Sequence, residues 1–502
     1  MIYVFYITLF LFIFAHGLYY YNLDGDFFAR LIVGKTFFQT ASVLNWDFLS
    51  YTPTHRFIDH EWGSSLVFYF LQSHFGDWGL LIFKGVIYFA TFFLLTKVIL
   101  LHNKEAKLRF LPFLIIINII PGILFATVRC QSFSFFFFAL WLYTLERVRL
   151  ENNNRLLWIL PATMLVWGNM HGGCAAGIGL LVIYVIGEFL NGKPVKKYVI
   201  TLILSIAVLF INPYGVEYLK FLFSALTLKR DLIVEWQSAF SPTGLEQQYK
   251  FAIFLILCPI LFAIYAFKFR QNYKDIDKTK ALLLVITYLL AIKSIRLQAF
   301  FAFSLLAFCY SDFYKLFSKK LPKSIDEMKE IVLFGIIVIF AICAVAITRM
   351  QCFAWNFPIM EVEFLKANKV KGNIMCLFQD GSYIAYKLYP NNLIFMDGRY
   401  EEVYQDNLVY VEQVINAGHK DWKEYLNIYP ADILIVPKEY RFFENLTKDK
   451  DEDFLMLMNS PYYALFIRKE LADKNFKTPS GKASYYMETK YDTNIDWSVD
   501  EN

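Results

Sequence analysis

Apolar runs separated by short polar stretches set the architecture of this chain. Met1 to Tyr21 is one such run, and others recur at 79–101, 110–127, 131–145, 156–170, 174–190, 198–211, 251–267, 281–292, 297–314 and 331–348. Several approach the ~20 residues that carry a helix across a bilayer, and together they predict eleven transmembrane helices. The first run lacks a basic flank, and no small-residue cleavage site follows it, so it reads as a retained helix rather than a signal peptide. One interval stands apart. Between Asn22 and Trp62 the chain turns polar, opening with Asn22-Leu23-Asp24-Gly25-Asp26 and closing with Asp59-His60-Glu61-Trp62. Carboxylates this close to a bilayer must be solvated, paired or functional.

From Gln351 the pattern changes. Glu361–Lys366 and Val409–Ala417 read as helices, and Asn373–Phe378, Leu393–Met396, Ala431–Val436 and Tyr462–Ile467 as strands. The alternation predicts a small α/β domain over 350–472, following a transmembrane domain over 1–349 whose first loop spans 22–78. The Lys/Asp/Asn/Ser-rich segment 473–502 reads as a flexible tail.

Charge supplies an orientation. With the N-terminus in the cytoplasm, the inner loops are His102–Arg109, Glu146–Arg155, Asn191–Lys197, Lys268–Lys280 and Lys315–Lys329, with 3, 3, 3, 5 and 5 Lys and Arg. The outer loops carry about half as many, an asymmetry that follows the positive-inside rule and leaves the C-terminal domain outside. Composition agrees: 57% of the 502 residues are hydrophobic, and a net charge of +5 has this topological explanation, so no nucleic-acid partner is expected. The seven Cys are scattered, five in or beside apolar segments, without metal-binding spacing; Cys352 and Cys376 are the pair that could bridge outside the membrane.

The distinctive polar residues then fall on the outer side. Asp24 could cap a helix, with Asp26 favouring its positive end and pairing with Arg30, while Phe27, Phe28, Leu31 and Ile32 would lay that helix flat in the interface. Capping accounts for one carboxylate better than for two, which leaves a catalytic reading for at least one. Asp59, His60 and Glu61 sit at a helix start, where dipole stabilisation competes with a role as general base, metal ligand or hydrogen-bond donor. Arg129 and Arg296, at outer helix ends, either snorkel to headgroups or hold phosphate. Gln131, Asn169, His171 (followed by two Gly), Tyr214 in Asn212-Pro213-Tyr214-Gly215 and Glu235 complete the set, with turn formation as the competing account of the Asn212 and Asp397-Gly398-Arg399 motifs. Adjoining helices such as the twelve-residue 281–292, about 18 Å long, are short, so these residues would line an outward-facing cavity below the membrane surface.

These motifs, with Arg129-Cys130-Gln131, Asn169-Met170-His171-Gly172-Gly173, Glu235-Trp236-Gln237 and Phe395-Met396-Asp397-Gly398-Arg399, resemble a bacterial multipass family within the GT-C superfamily of membrane glycosyltransferases, over Met1 to about Lys469. Cys130 departs from the pattern, standing where Pro is expected. The resemblance implies a polytopic α-helical GT-C-like membrane protein with a small extracytoplasmic α/β domain, in the plasma (inner) membrane. It implies an inverting transfer of a sugar from a polyprenyl-phosphate donor to a glycan, lipid or protein acceptor. Asp24, Asp26, Asp59, His60 and Glu61 would be the catalytic set, and Arg129, Gln131, Asn169, His171, Tyr214, Glu235 and Arg296 the substrate-binding set. A divalent metal is the one cofactor such a site leaves room for. The rival readings are a lipid-glycan transporter or envelope-assembly protein, which would not depend on the early carboxylates, and a glycan ligase.

Overall fold

The computed structural model describes residues 2–19, 23–110, 114–115, 128–227, 233–269, 276–318, 323–348, 357–405, 407–419, 421–448 and 453–475. The chain divides into two compact units, one of Met1–Tyr21 with Leu81–Arg349 and the other of Asn22–Leu80 with Met350–Asn502.

The first unit is helical. Helices cover every stretch in it expected to be apolar and helical, except 110–127, which lies outside the described residues apart from Phe110, Leu114 and Ile115. Four described helical stretches are long and apolar enough to cross a bilayer: Trp62–His102, Gly172–Leu190, Ile295–Tyr314 and Met328–Val345. The last turns Ile331, Ile336, Ile339 and Ile342 outward, each more than half exposed. Such a surface is costly in water and at home in hydrocarbon. Inside, aromatic rings interlock: Phe138 lies 4.8 Å from Phe300, and Phe137 stacks on Trp167 at 5.6 Å. The helix expected over 281–292 is longer, Lys278–Lys293, because Asp277 caps it by accepting the Thr279 and Lys280 N–H groups. Its 16 residues reach about 24 Å, so this helix is not among the short ones. Twelve-residue helices do occur at Ile159–Met170 and Lys196–Ala207. At the ends of four helices Arg149 meets Glu146, Glu188 and Asp277 at 2.7–2.8 Å, and His102 meets Glu146 at 2.6 Å.

The second unit is built on a five-stranded sheet, β1 Gly372–Met375, β2 Asn392–Ile394, β3 Ile433–Pro437, β4 Phe454–Asn459 and β5 Tyr463–Arg468, in the order β2-β1-β3-β5-β4. β1 runs parallel to β2 and β3, and β5 antiparallel to β3 and β4. β3, apolar throughout, is buried along its whole length, as a central strand covered on both faces must be. Helix Ile359–Ala367 precedes β1, and helices Phe378–Leu388, Asn407–Asn416, Trp422–Ile428 and Arg441–Lys448 lie between the strands in sequence.

The division differs from that expected, which placed 22–78 with the transmembrane helices. Ser50 instead bridges Ile394 in parallel, Tyr51 donates its N–H to the Ile394 carbonyl at 3.1 Å, and His55 donates to Val403 at 2.9 Å. The β2 edge presents unpaired backbone groups, and an extended polar segment satisfies them. Phe57 and Val33 enter the same core as Met375, Phe395, Leu434 and Phe466. The helix expected to begin after Glu61 starts at Trp62 and, with a break at Gly76 (φ 57°), runs on through the apolar stretch expected over 79–101 to His102. At the far end, Lys469–Asn475 is helical, so ordered structure runs three residues into the expected tail, whose remainder lies outside the described residues. Cys376 is a free, buried thiol, and Cys352 lies outside the described residues.

Candidate active site

The first group of expected residues lies in the second unit. Asp24 caps the Gly25–Thr40 helix, its Oδ1 accepting the Phe27 N–H at 3.0 Å. Gly25 is required there: a Cβ would stand 2.5 Å from the Gln379 carbonyl oxygen. The apolar face expected to meet a membrane interface packs against protein. Phe27 and Phe28 are buried within the unit, Phe28 edge-on to Phe357 and Tyr383 at 5.1 and 5.0 Å. Asp26, in the first turn, is exposed, and its Oδ1 faces Gly398 so closely that a Cβ there would lie 2.8 Å away.

Asp26 was expected to pair with Arg30. Arg30 is buried, and its Nη1 meets Asp59, which is 0% exposed, while its Nε lies 3.7 Å from Glu61. A fully buried carboxylate needs the guanidinium far more than an exposed one does. Asp59 also accepts the Glu61 N–H at 2.9 Å. His60 is wedged between carboxylates, Nδ1 3.0 Å from Glu402 and Nε2 3.6 Å from Glu61. Burial disfavours its imidazolium, but Glu402, Glu61 and Asp59 outweigh that and raise its pKa to about 9. At neutral pH it is protonated and cannot act as a general base. Beside this cluster Arg399 sits between Asp47 at 2.6 Å and Asp397 at 2.9 Å, with the Tyr404 hydroxyl donating to Asp397 at 3.1 Å. The sequence reading missed Glu402, Asp47 and Tyr404; an isolated acidic residue or tyrosine carries no local signal of a distant partner.

The second group lies in the first unit. Arg129 donates to Glu235 at 2.7 Å, and Arg296 reaches the other oxygen of the same carboxylate at 3.4 Å while lying over the Trp236 ring at 5.1 Å. Burial opposes the Glu235 charge, yet Arg296 and Arg129 overcome it and hold its carboxyl below the usual range. His171 is buried, and its Nδ1 accepts the Gly173 N–H at 3.1 Å. The Ser134 hydroxyl, 2.7 Å from Nδ1, accepts the Trp167 indole N–H and so points its own proton at the imidazole. A ring whose Nδ1 accepts twice carries its proton on Nε2 when neutral. Asn169 accepts from the Asn212 side chain at 3.0 Å, and Asn212 in turn accepts the Tyr214 N–H at 3.0 Å, an Asx turn at the place where the competing account expected a turn. Gln131, at the start of the Gln131–Glu151 helix, and Tyr214 are buried.

Among the described residues no group of three or more His, Cys, Asp or Glu could hold a metal ion.

The coordinates resemble those of solved membrane enzymes. The oligosaccharyltransferase of Archaeoglobus fulgidus in its apo form matches with a TM-score of 0.53 at 9% identity, over 87% of this chain and 69% of that one. ArnT of Cupriavidus metallidurans, solved with undecaprenyl phosphate, matches with a TM-score of 0.50 at 10% identity, over 92% and 97%. This chain has a GT-C-like fold. The mycobacterial arabinofuranosyltransferase AftD, also of the GT-C class, matches with a TM-score of 0.54 at 11% identity over 93% of this chain, which spans 39% of AftD. No protein-family model and no curated protein sequence matches the chain.

Proposed function

We propose that the chain is a GT-C-type glycosyltransferase of the plasma membrane that moves a sugar from a polyprenyl-phosphate donor to an extracytoplasmic glycan, lipid or protein acceptor. The observation that carries this reading is the sorting of the first-loop carboxylates. Asp59 is buried against Arg30 and Glu61 flanks His60, whereas Asp24 is partly exposed and Asp26 is exposed, so an acceptor hydroxyl can reach these two. The acceptor oxygen attacks the anomeric carbon as the bond from that carbon to the phosphate oxygen breaks. The hydroxyl proton passes to Asp24 or Asp26, and the lipid phosphate departs with inversion. Taken by itself, the first unit offers a pair suited to phosphate: Arg129 and Arg296 converge on the one carboxylate of Glu235. The undecaprenyl phosphate in ArnT and the acceptor peptide tethered to the Archaeoglobus enzyme support a lipid-linked donor and a separate acceptor.

A non-catalytic transporter or assembly protein is favoured by one observation, the capping role of Asp24. Turnover of radiolabelled polyprenyl-phosphate sugars by the purified full-length protein in detergent, with and without divalent metal, decides between them. The transferase reading expects at least one of Asp24→Asn and Asp26→Asn to lose ~10²- to 10⁴-fold in rate, with thermal stability nearly unchanged because Asn caps as well as Asp. No turnover by the unaltered protein sinks the transferase reading, whereas wild-type turnover in both variants removes Asp24 and Asp26 from the mechanism and moves attention to Asp59, His60 and Glu61.

A further inference from the structure

The second unit contains a cleft of about 590 Å³, within the size range of small-ligand sites. Asp24 stands on its wall together with Phe357, Gln379, Lys438, Glu439 and Tyr462. Its ionisable lining is two carboxylates against one ammonium, and that ammonium is committed, Lys438 Nζ donating to the Ser460 carbonyl at 2.8 Å. A phosphate or a uronic acid would enter against the local field. Gln379 and Glu439 are exposed, and among the described residues their side chains make no hydrogen bond, so donor and acceptor capacity faces the cleft unspent. Tyr462 is 42% exposed and presents a ring, and beside it the Tyr463 hydroxyl donates to the buried Asp380 at 3.3 Å, which fixes that part of the wall. A ligand with an apolar C–H face and a rim of hydroxyls satisfies both halves of this lining. A lipid chain would leave Gln379 and Glu439 unpaired on desolvation.

We infer that this cleft is the acceptor subsite and that it takes an uncharged or amine-bearing saccharide, with Tyr462 as its stacking platform and Gln379 and Glu439 as its hydroxyl partners. The assignment rests on the transferase reading for the word acceptor, since Asp24 lines the cleft, but the saccharide binding itself does not. Binding is therefore measured without donor, by saturation-transfer NMR on the purified full-length protein in detergent. The probes are a panel of neutral, amine-bearing and carboxylate-bearing trisaccharides.

Neutral or amine-bearing members are expected to bind saturably and more tightly than their carboxylate-bearing counterparts. Tyr462→Ala should weaken them about tenfold, the scale of one lost aromatic contact, and Gln379→Ala should weaken them as well. Both variants should keep the wild-type thermal midpoint and wild-type binding of undecaprenyl phosphate. The inference is overturned if no panel member binds, if the carboxylate-bearing members bind best, or if Tyr462→Ala leaves every affinity unchanged. Absence of turnover by the unaltered protein would remove the transferase reading and leave saccharide binding in the cleft to stand or fall on the panel.

Discussion

A single hydrogen at Gly398 decides where the Asp26 carboxylate can rest. The atom that a Cβ would meet, at 2.8 Å, is Asp26 Oδ1, the mobile end of an exposed side chain, so the side chain moves and the backbone does not. Gly398→Ala is therefore expected to leave the thermal midpoint close to wild type and to lower kcat severalfold with little change in KM, as a displaced base would. Unchanged kcat beside an inactive Asp26→Asn would show that the position of this carboxylate is not what Gly398 protects. Next to Asp59, the buried partner of Arg30, His60 carries a different signature. Its pKa is raised above the ~6.5 of an unfolded histidine, so its stabilising contribution is full below that value and is lost as pH rises through about 9. The apparent melting temperature should fall between pH 7 and pH 10, and His60→Gln should flatten that slope. A midpoint that is level or rising over this range in the unaltered protein contradicts the ion-pair account.

Among the elements, the extended segment at 49–55 depends on Arg399. This guanidinium neutralises Asp47, on the segment's approach, and Asp397, just after β2, and all three are buried. Removing one member of such a group strands the others, at a cost of about 3–5 kcal/mol. Arg399→Ala should loosen the segment from the β2 edge, and limited proteolysis should then cut between Thr40 and Phe57 where the wild type resists. An intact segment in the variant would show that backbone pairing with β2 suffices. The strands themselves were legible to different degrees. Ile433–Pro437, flanked by Pro430 and continuously apolar, announces a buried strand, and Tyr463–Arg468 does so nearly as well. Phe454–Asn459 passed unrecognised because Phe-Leu-Met-Leu-Met-Asn contains no β-branched residue and suits a helix equally. The pairing of Ser50 with Ile394 joins positions 344 apart in the chain, and no local periodicity encodes it. The same limit applies to the site. Residue types and turns could be read, such as the Asp24 cap and the turn at Asn212, but the partners of Arg30 and His60 could not, because they are chosen by burial after folding.

For the whole molecule, the decisive question is which unit faces which compartment. The Lys and Arg asymmetry that orients the helices counts Arg149 and Lys280 as topogenic, yet both also belong to a buried polar network, Arg149 meeting three carboxylates and Lys280 Nζ lying 3.1 Å from His102 Nδ1. Structural and topogenic demands thus fall on the same residues, and the orientation needs a direct test. Ser382 would be a poor reporter, being fully buried. Lys366 and Lys104 are both exposed, one at the end of the Ile359–Ala367 helix and the other in the first expected inner loop. With the N-terminus inside, Lys366→Cys should react with a membrane-impermeant thiol reagent in intact cells, above the wild-type background that exposed Cys343 sets. Lys104→Cys should react only after permeabilisation. The reverse pattern would put the sheet-bearing unit, with Asp24, Asp26 and the saccharide cleft, in the cytoplasm. An extracytoplasmic acceptor would then be impossible, even if the transfer chemistry itself survived.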